Sequence, residues 1–436
     1  MAVKTPDLQA HFNQKMISLG LGARTKSIAV AVSGGSDSMA LALLAEEWAR
    51  TEGVDLLALS VDHCLRPQSA SEVKQVATWL GKYGISCNTL RWDGPHPTSG
   101  IQQAARDARY RLMTAHCQQR GITSLLLGHQ MEDQAETMLM RLSKGSGLEG
   151  LAAMRDISGW QDLKLLRPLL GVTRDQLRQF LMARGQEWID DPSNDNLDFT
   201  RTQVGTILAG LQDLPGSDLE TISLSVGRLA RASRALDQLT SERFDALCEV
   251  SPFGFVRFPD VMITDCPEEM ALRLLSKALA LVQGEAARIK LKSLEHLYER
   301  LFIRTVSTSE TLAGCQISKS KDGWIVCREP GRTGLPENVL DCGGAVLWDN
   351  RYQVVDTAAD KTVTPLVIRR IGADGWRTLN KLHLQREERE LPAVVRNSLP
   401  AVWSEGELVA APLFSCDLQQ SIIAKDRIKM VFRPLI

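Results

Sequence analysis

Apolar and polar positions along the first two hundred residues switch repeatedly between two periods. "SIAVAV" (27–32), "LLALSV" (56–61), "CNTLRW" (87–92) and "SLLLGH" (124–129) are short apolar runs, each read as a β-strand. Between them "MALALLAEEWA" (39–49) and "ASEVKQVATWLGKYG" (70–84) carry apolar residues at helical spacing. The first and last of these strands are apolar without alternation, so both of their faces are expected to be covered, as in a parallel sheet between layers of helices. The pattern therefore predicts an α/β domain with a doubly wound, mostly parallel sheet. Proline and glycines in "LAGLQDLPGSD" (208–218) interrupt it. Helical spacing returns in "LETISLSVGRLARASRALDQL" (219–239) and "PEEMALRLLSKALALVQG" (267–284), and β-type runs such as "TPLVIRRI" and "LPAVVRNSLPAVW" follow "EPGRTGLPENVLDCGG" (329–344). The expected domains are 1–212, the α/β domain, then 213–335, mainly helical, and 336–436, a small α+β domain.

Composition narrows this picture. A chain of 436 residues exceeds what one core usually holds, and 44% apolar with 24% charged residues fits a soluble globular enzyme. "MAVKTPDLQAHFNQKM" mixes charge and polarity where a secretory signal would be apolar, and no stretch is long enough to span a bilayer, so a cytoplasmic protein without a membrane partner is expected. The nine cysteines include no C-x-x-C pair, which argues against zinc-ribbon, iron–sulfur and dithiol chemistry. A net charge of −1 provides no global attraction for polyanions; nucleic acid would have to be held by local basic surfaces.

The densest chemistry lies in "SGGSDS" (33–38), between the first strand and the first helix. Backbone N–H groups at such a helix start, together with the helix dipole, favour an anion. Gly34 and Gly35 allow close approach and positive φ, and Ser33, Ser36 and Ser38 offer hydroxyls. The lysine of the Walker loop, which serves transfer of a terminal phosphate, is absent. A cradle of hydroxyls and amides suits a pyrophosphate that departs intact, with Asp37 holding a magnesium ion that neutralises it. An ordinary helix cap is the competing explanation, and the strand before and helix after favour phosphate.

The stretch is similar to the PP-loop of the N-type ATP pyrophosphatases, which adenylate a carbonyl oxygen. Further on, "SVDHCLRPQS" (60–69), "GIQQAARDARYRLM" (100–113), "LLLGHQMEDQAETMLMRLSKGSGLEGLAAM" (125–154) and "IDDPSNDNLDFTR" (189–201) resemble, in that order, the tRNA(Ile)-lysidine synthase family. The resemblance implies ATP-dependent attachment of free L-lysine to the wobble cytidine of tRNA(Ile), with ATP and Mg2+ as cofactors, and is compatible with a homodimer. It also implies catalytic roles for Asp37, His129 and Asp133, with Asp37 and Asp133 at the metal. By position, "GHQMEDQAET" reads as a helix on which His129 and Asp133 share a face, with Glu132 and Glu136 adding acids that a cation or arginine would balance. Asp62 lies at the carboxyl end of the second strand, where open α/β sheets bind ligands, and is assigned to ATP with Arg106. Arg109, one helical turn from Arg106, the loop Lys144, Gly145, Ser146 and Gly147, and Arg201 are assigned to tRNA or substrate. The chain departs from the family pattern at Gln130, Thr202 and Gly205, where the family has histidine, asparagine and arginine.

On this resemblance, the cytidine O2 attacks the α-phosphate, pyrophosphate leaves, and the lysine ε-amine displaces AMP at C2. The amine, with a free pKa of ~10.4, needs a base, for which Asp133 and His129 are candidates. Arg228, Arg231 and Arg234, and the cluster Arg369, Arg370, Arg377 and Lys381, are candidate tRNA contacts. The rival readings are a PP-loop tRNA thiolase and a non-catalytic nucleotide- or RNA-binding protein.

Overall fold

In the computed structural model the apolar run at 27–31 is a central strand, and the chain around it winds into a six-stranded sheet. The structure describes residues 7–433, except 23, 66–67, 95–96, 98, 191–199, 213–217, 285–288, 332–333, 359–365 and 416–426. Two compact units meet in sequence at 233/234. The first comprises α1 (Leu8–Ser18), β1 (Ser27–Ala31), α2 (Ser36–Glu52), β2 (Asp55–Asp62), α3 (Ser69–Gly81), β3 (Ser86–Arg91) and α4 (Ile101–Gln119). It continues with β4 (Ser124–Leu126), α5 (Met131–Leu142), α6 (Leu148–Leu151), β5 (Ile157–Trp160), β6 (Leu163–Leu166), α7 (Arg174–Ala183) and α8 (Thr200–Gln212). The long α9 (Leu219–Leu247) starts in the first unit and ends in the second.

The sheet has the order β3-β2-β1-β4-β6-β5, parallel throughout except for the β5–β6 hairpin at one edge. Side chains alternate across it. Ile28 and Val30 enter a core built with α1, α2, α3 and α7, while Ala29, Leu57, Leu59 and Leu125 enter a second core with Tyr110, Met113 and Cys117 of α4. Both faces are covered at the centre of the sheet, which is why β1 and β4 lack a polar face. α2 is apolar nearly all round for the same reason: Met39, Leu41, Leu44 and Trp48 are essentially inaccessible, each worth about 1.5–3 kcal/mol of burial.

The second unit contains β7 (Glu249–Val250), β8 (Val256–Phe258), α10 (Val261–Thr264), α11 (Glu268–Gln283), α12 (Leu291–Tyr298), β9 (Ser309–Leu312), β10 (Cys315–Ser320) and β11 (Gly323–Arg328). Its later part has β12 (Asn338–Leu340), β13 (Ala345–Trp348), β14 (Tyr352–Asp356), β15 (Leu366–Arg370), α13 (Gly372–Leu379), α14 (Arg386–Arg389), α15 (Ala393–Arg396), β16 (Pro400–Ser404), β17 (Glu407–Ala410) and β18 (Ile428–Phe432). The region read from periodicity as helical thus also carries a five-stranded sheet, β7-β8-β11-β10-β9. Its alternation was legible: Cys315 and Ile317 face inward, Ile317 opposite Val326, and Ser320 to Gly323 make the turn. "LPAVVRNSLPAVW" is only half strand, because its first proline opens the short α15 and its second starts β16.

Candidate active site

β1 delivers the chain to the sheet's carboxyl edge, and the turn that follows is shaped mainly by Gly34. Its φ is +95°, and an added Cβ would lie 2.8 Å from Val76 Cγ2 and 2.9 Å from Ile189 Cδ1, so only glycine fits. Gly35 corrects the expectation of positive φ at both glycines. It is the N-cap of α2 with φ −70° and ψ 162°, a conformation open to other residues. No side chain caps α2, so the N–H groups of its first turn face outward at the positive end of the dipole. Ser38 works chiefly inside the loop: its Oγ accepts from Ser33 N at 3.2 Å, lies 3.2 Å from Ser33 Oγ and donates to Gly35 O at 3.0 Å. Ser36 Oγ donates to Asp37 Oδ1 at 3.0 Å, aiming that carboxylate beside the open helix end.

β1 lies between β2 and β4, the point where strand order reverses and a crevice opens. β4 forms the other wall. A Cβ on Gly128 would sit 3.2 Å from the backbone of Asp37 and Ser38, so the exit of β4 presses directly on the start of α2. His129 follows, and here the helix reading needs correction: α5 begins at Met131 with Gln130 as N-cap, leaving His129 outside the helix, just ahead of its cap. Gln130 and Asp133 form a capping box, in which Gln130 N donates to Asp133 Oδ2 at 3.0 Å and Gln130 Oε1 accepts from the N–H groups of Glu132 and Asp133. Asp133 is therefore buried, and one of its oxygens is engaged in holding the helix start. Gln130, where the family pattern has histidine, still supplies the cap.

Glu132 reaches to α7. Both its oxygens accept from Arg174 N, at 3.0 and 3.1 Å. Burial pushes its carboxyl above the usual range, opposed by those hydrogen bonds and the Arg174 charge. The Arg174 guanidinium lies 3.7 Å from Asp37 Oδ2, placing the arginine that the acidic cluster called for. Sequence reading missed Arg174. One signal existed: Thr173 and Gln176 form a capping box, so a helix starts there, and a cation in its first turn runs against the dipole.

On the other side, Asp62 ends β2 and closes its own turn, accepting from Cys64 N at 2.9 Å and Ser69 Oγ at 2.7 Å. Burial would raise its pKa, but these bonds outweigh it and the carboxyl titrates low. Arg106 and Arg109 flank the Tyr110 ring at 5.1 and 5.5 Å, and that ring stacks on Trp160 at 5.0 Å. Arg106 is exposed and Arg109 half-buried; burial pushes the Arg109 guanidinium below its usual range. Arg167, directly after β6, joins them unannounced. It is buried, donates to Arg155 O and Ser158 Oγ at 2.9 Å each, and its pKa is lowered by burial and by Arg106.

The loop Lys144, Gly145, Ser146 and Gly147 starts as the C-terminal turn of α5. Gly145 has φ +67°, Ser146 N donates to Arg141 O at 3.0 Å, and Arg141 Nη1 donates to Gly150 O and Ala153 O at 2.9 and 2.8 Å. Lys144 is exposed. Ile189 N donates to Gly34 O at 2.9 Å, so the start of "IDDPSNDNLDFTR" adjoins the glycine loop; residues 191–199 lie outside the described residues, as do the side chains of Arg201 and Thr202 in α8.

Among the described residues no group of three or more His, Cys, Asp or Glu side chains is arranged to hold a metal by itself. Magnesium commonly uses one or two carboxylates and completes its shell with phosphate oxygens and water. Asp37, half-buried beside an uncapped helix start, is a suitable carboxylate.

A family model described as a PP-loop domain matches residues 5–209. A tRNA(Ile)-lysidine synthase of Bradyrhizobium sp. (strain BTAi1) is 37% identical over 327 residues, covering 70% of this chain and 90% of that protein. One of Ruegeria pomeroyi is 35% identical over 396 residues, covering 89% and 88% respectively. Among solved structures, a U34-tRNA thiolase of Methanococcus maripaludis superposes with a TM-score of 0.44 at 18% identity, over 51% of this chain and 78% of that one.

Proposed function

The chain belongs to the tRNA(Ile)-lysidine synthases, and from that premise we propose how its residues carry out ATP-dependent lysidine formation in tRNA(Ile). The observation that carries the proposal is the lysine-free cradle at the uncapped start of α2 with Asp37 beside it. Ser33, Gly34, Gly35, Ser36 and Ser38 hold the phosphates, the N–H groups at the start of α2 stabilising charge on the departing pyrophosphate. Magnesium, when bound, neutralises that leaving group; Asp37 would hold it, with Asp133 behind it. Arg106 and Asp62 belong to the ATP side. Arg109, the loop at 144–147 and Arg201 serve the tRNA or substrate side. His129 and Asp133 are the residues to deprotonate the lysine ε-amine, which must lose its proton before displacing AMP.

The downstream regions, 213–335 and 336–436, are assigned to holding the tRNA. Exposed Arg228, Arg231 and Arg234 recur every third residue along α9, and Arg369 and Arg396 lie 4.0 and 4.7 Å over the rings of Trp403 and Trp376. No helix of the described residues is long and apolar enough to cross a membrane. Burial pushes the thiols of Cys87 and Cys117 up to about 11 and those of Cys248, Cys315 and Cys327 to about 12, which holds these five away from thiolate character. The test is to supply ATP, lysine and tRNA(Ile) singly and together. AMP and pyrophosphate in step with a mass gain on the tRNA are expected only from the full mixture; ADP and orthophosphate would refute the proposal.

A further inference from the structure

Three elements of the first unit converge on one side chain that the reaction outlined above does not use. Arg174 opens α7; its N–H is fixed by both oxygens of Glu132 from α5, and its guanidinium faces Asp37 in the first turn of α2. The backbone is thus anchored while the head is not. At 3.7 Å from Asp37 Oδ2 the contact is an ion pair longer than a hydrogen bond, and the side chain remains 39% exposed. The surrounding backbone is tied together: Met131 N donates to Val172 O at 2.9 Å, and Gly128 presses on the Asp37 backbone. The acids facing the guanidinium are Asp37 and Glu132. A cation accompanying the nucleotide competes for the same Asp37 carboxylate, and a guanidinium displaced from it stands next to phosphate oxygens, for which its planar fork is suited.

We propose that Arg174 is a nucleotide-binding residue: its guanidinium, which pairs with Asp37, serves as ligand of the pyrophosphate half of ATP when a cation takes that carboxylate. The inference rests on the PP-loop reading of the site. It concerns only the two distal phosphates, and this makes it separable from a structural role. In calorimetric titrations of the full-length protein with Mg2+ present, Arg174→Met should weaken ATP and inorganic pyrophosphate binding by about tenfold to a hundredfold, the cost of one charged hydrogen-bonding partner, and leave AMP affinity within about twofold. Arg174→Lys, which keeps the charge but not the fork, should fall between the two, and it applies the same test if the Met variant does not fold. Unchanged ATP affinity, or parallel losses for ATP and AMP, would overturn the inference while leaving the reaction itself intact. If the unmodified protein released no pyrophosphate from ATP with tRNA(Ile) and lysine, the underlying reading would fall first, and this inference with it.

Discussion

Gly34 and Asp37 show how differently two neighbouring residues can matter. Gly34 is a matter of shape. Alanine there would have to hold φ near +95° and push a methyl into Val76 and Ile189, so Gly34→Ala should destabilise the first unit by about 1–3 kcal/mol, measured by denaturant unfolding, and weaken ATP binding as well. Asp37 is a matter of charge. It is half-buried, and its carboxylate meets Ser36 and Arg174. Asp37→Asn should leave the melting temperature within a few degrees and reduce tRNA-dependent pyrophosphate release by at least about a hundredfold. A variant that turned over normally would remove Asp37 from the reaction. The glycine pair, hydroxyls and carboxylate were all legible in "SGGSDS", because a strand–turn–helix is local. Which glycine needs positive φ was not, since it depends on what packs against the turn.

At the scale of elements, helix starts do much of the positioning. Gln130 and Thr173 each close a capping box, and the two helix starts are tied through Glu132 and Arg174. Gln130→Ala should cost about 0.5–2 kcal/mol, with serine at the same position recovering most of it. If alanine proved neutral, the cap would not be what orients Asp133. Sheet edges depend on charge pairs. Arg427, ahead of β18, donates from Nε and Nη2 to the two Asp356 oxygens of β14, at 2.9 and 2.7 Å. The Arg427 hydrogen bond is the main reason that the Asp356 carboxyl titrates below its ordinary value of 3.8. A carboxyl lowered by folding stabilises the native state above its unfolded pKa, and that contribution is lost as pH falls through the folded value. The parent should thus lose stability on acidification below about pH 4, and Asp356→Asn should lose less over the same range while starting lower. Equal acid sensitivity of the two proteins in pH-dependent unfolding would contradict this.

For the molecule as a whole, a net charge of −1 must be reconciled with a polyanionic substrate. The arginines of α9 and of the late strands offer local attraction, so tRNA affinity should fall with salt, log K dropping by roughly 0.9 or less for each phosphate neutralised. Reversing Arg228 and Arg231 together, as Arg228→Glu and Arg231→Glu, should shallow that slope while ATP affinity stays unchanged. A slope that did not move in filter-binding titrations would remove α9 from the tRNA surface.

The pattern of residues 27–136 was enough to determine a parallel α/β sheet, a glycine- and serine-rich turn after its first strand, and the acidic segment after its fourth. Each depends on neighbours within one or two turns of chain, so pattern and spacing carry the information. Folding alone decided that His129 precedes its helix, that Asp133 is half committed to a cap, and that Arg167 and Arg174 stand among the site's charges. The placing of Arg167 and Arg174 arises where strand order sets β4 beside β1 and β6 beside β4 and where α7 packs on α2, and contacts between residues so distant in sequence leave no period in it.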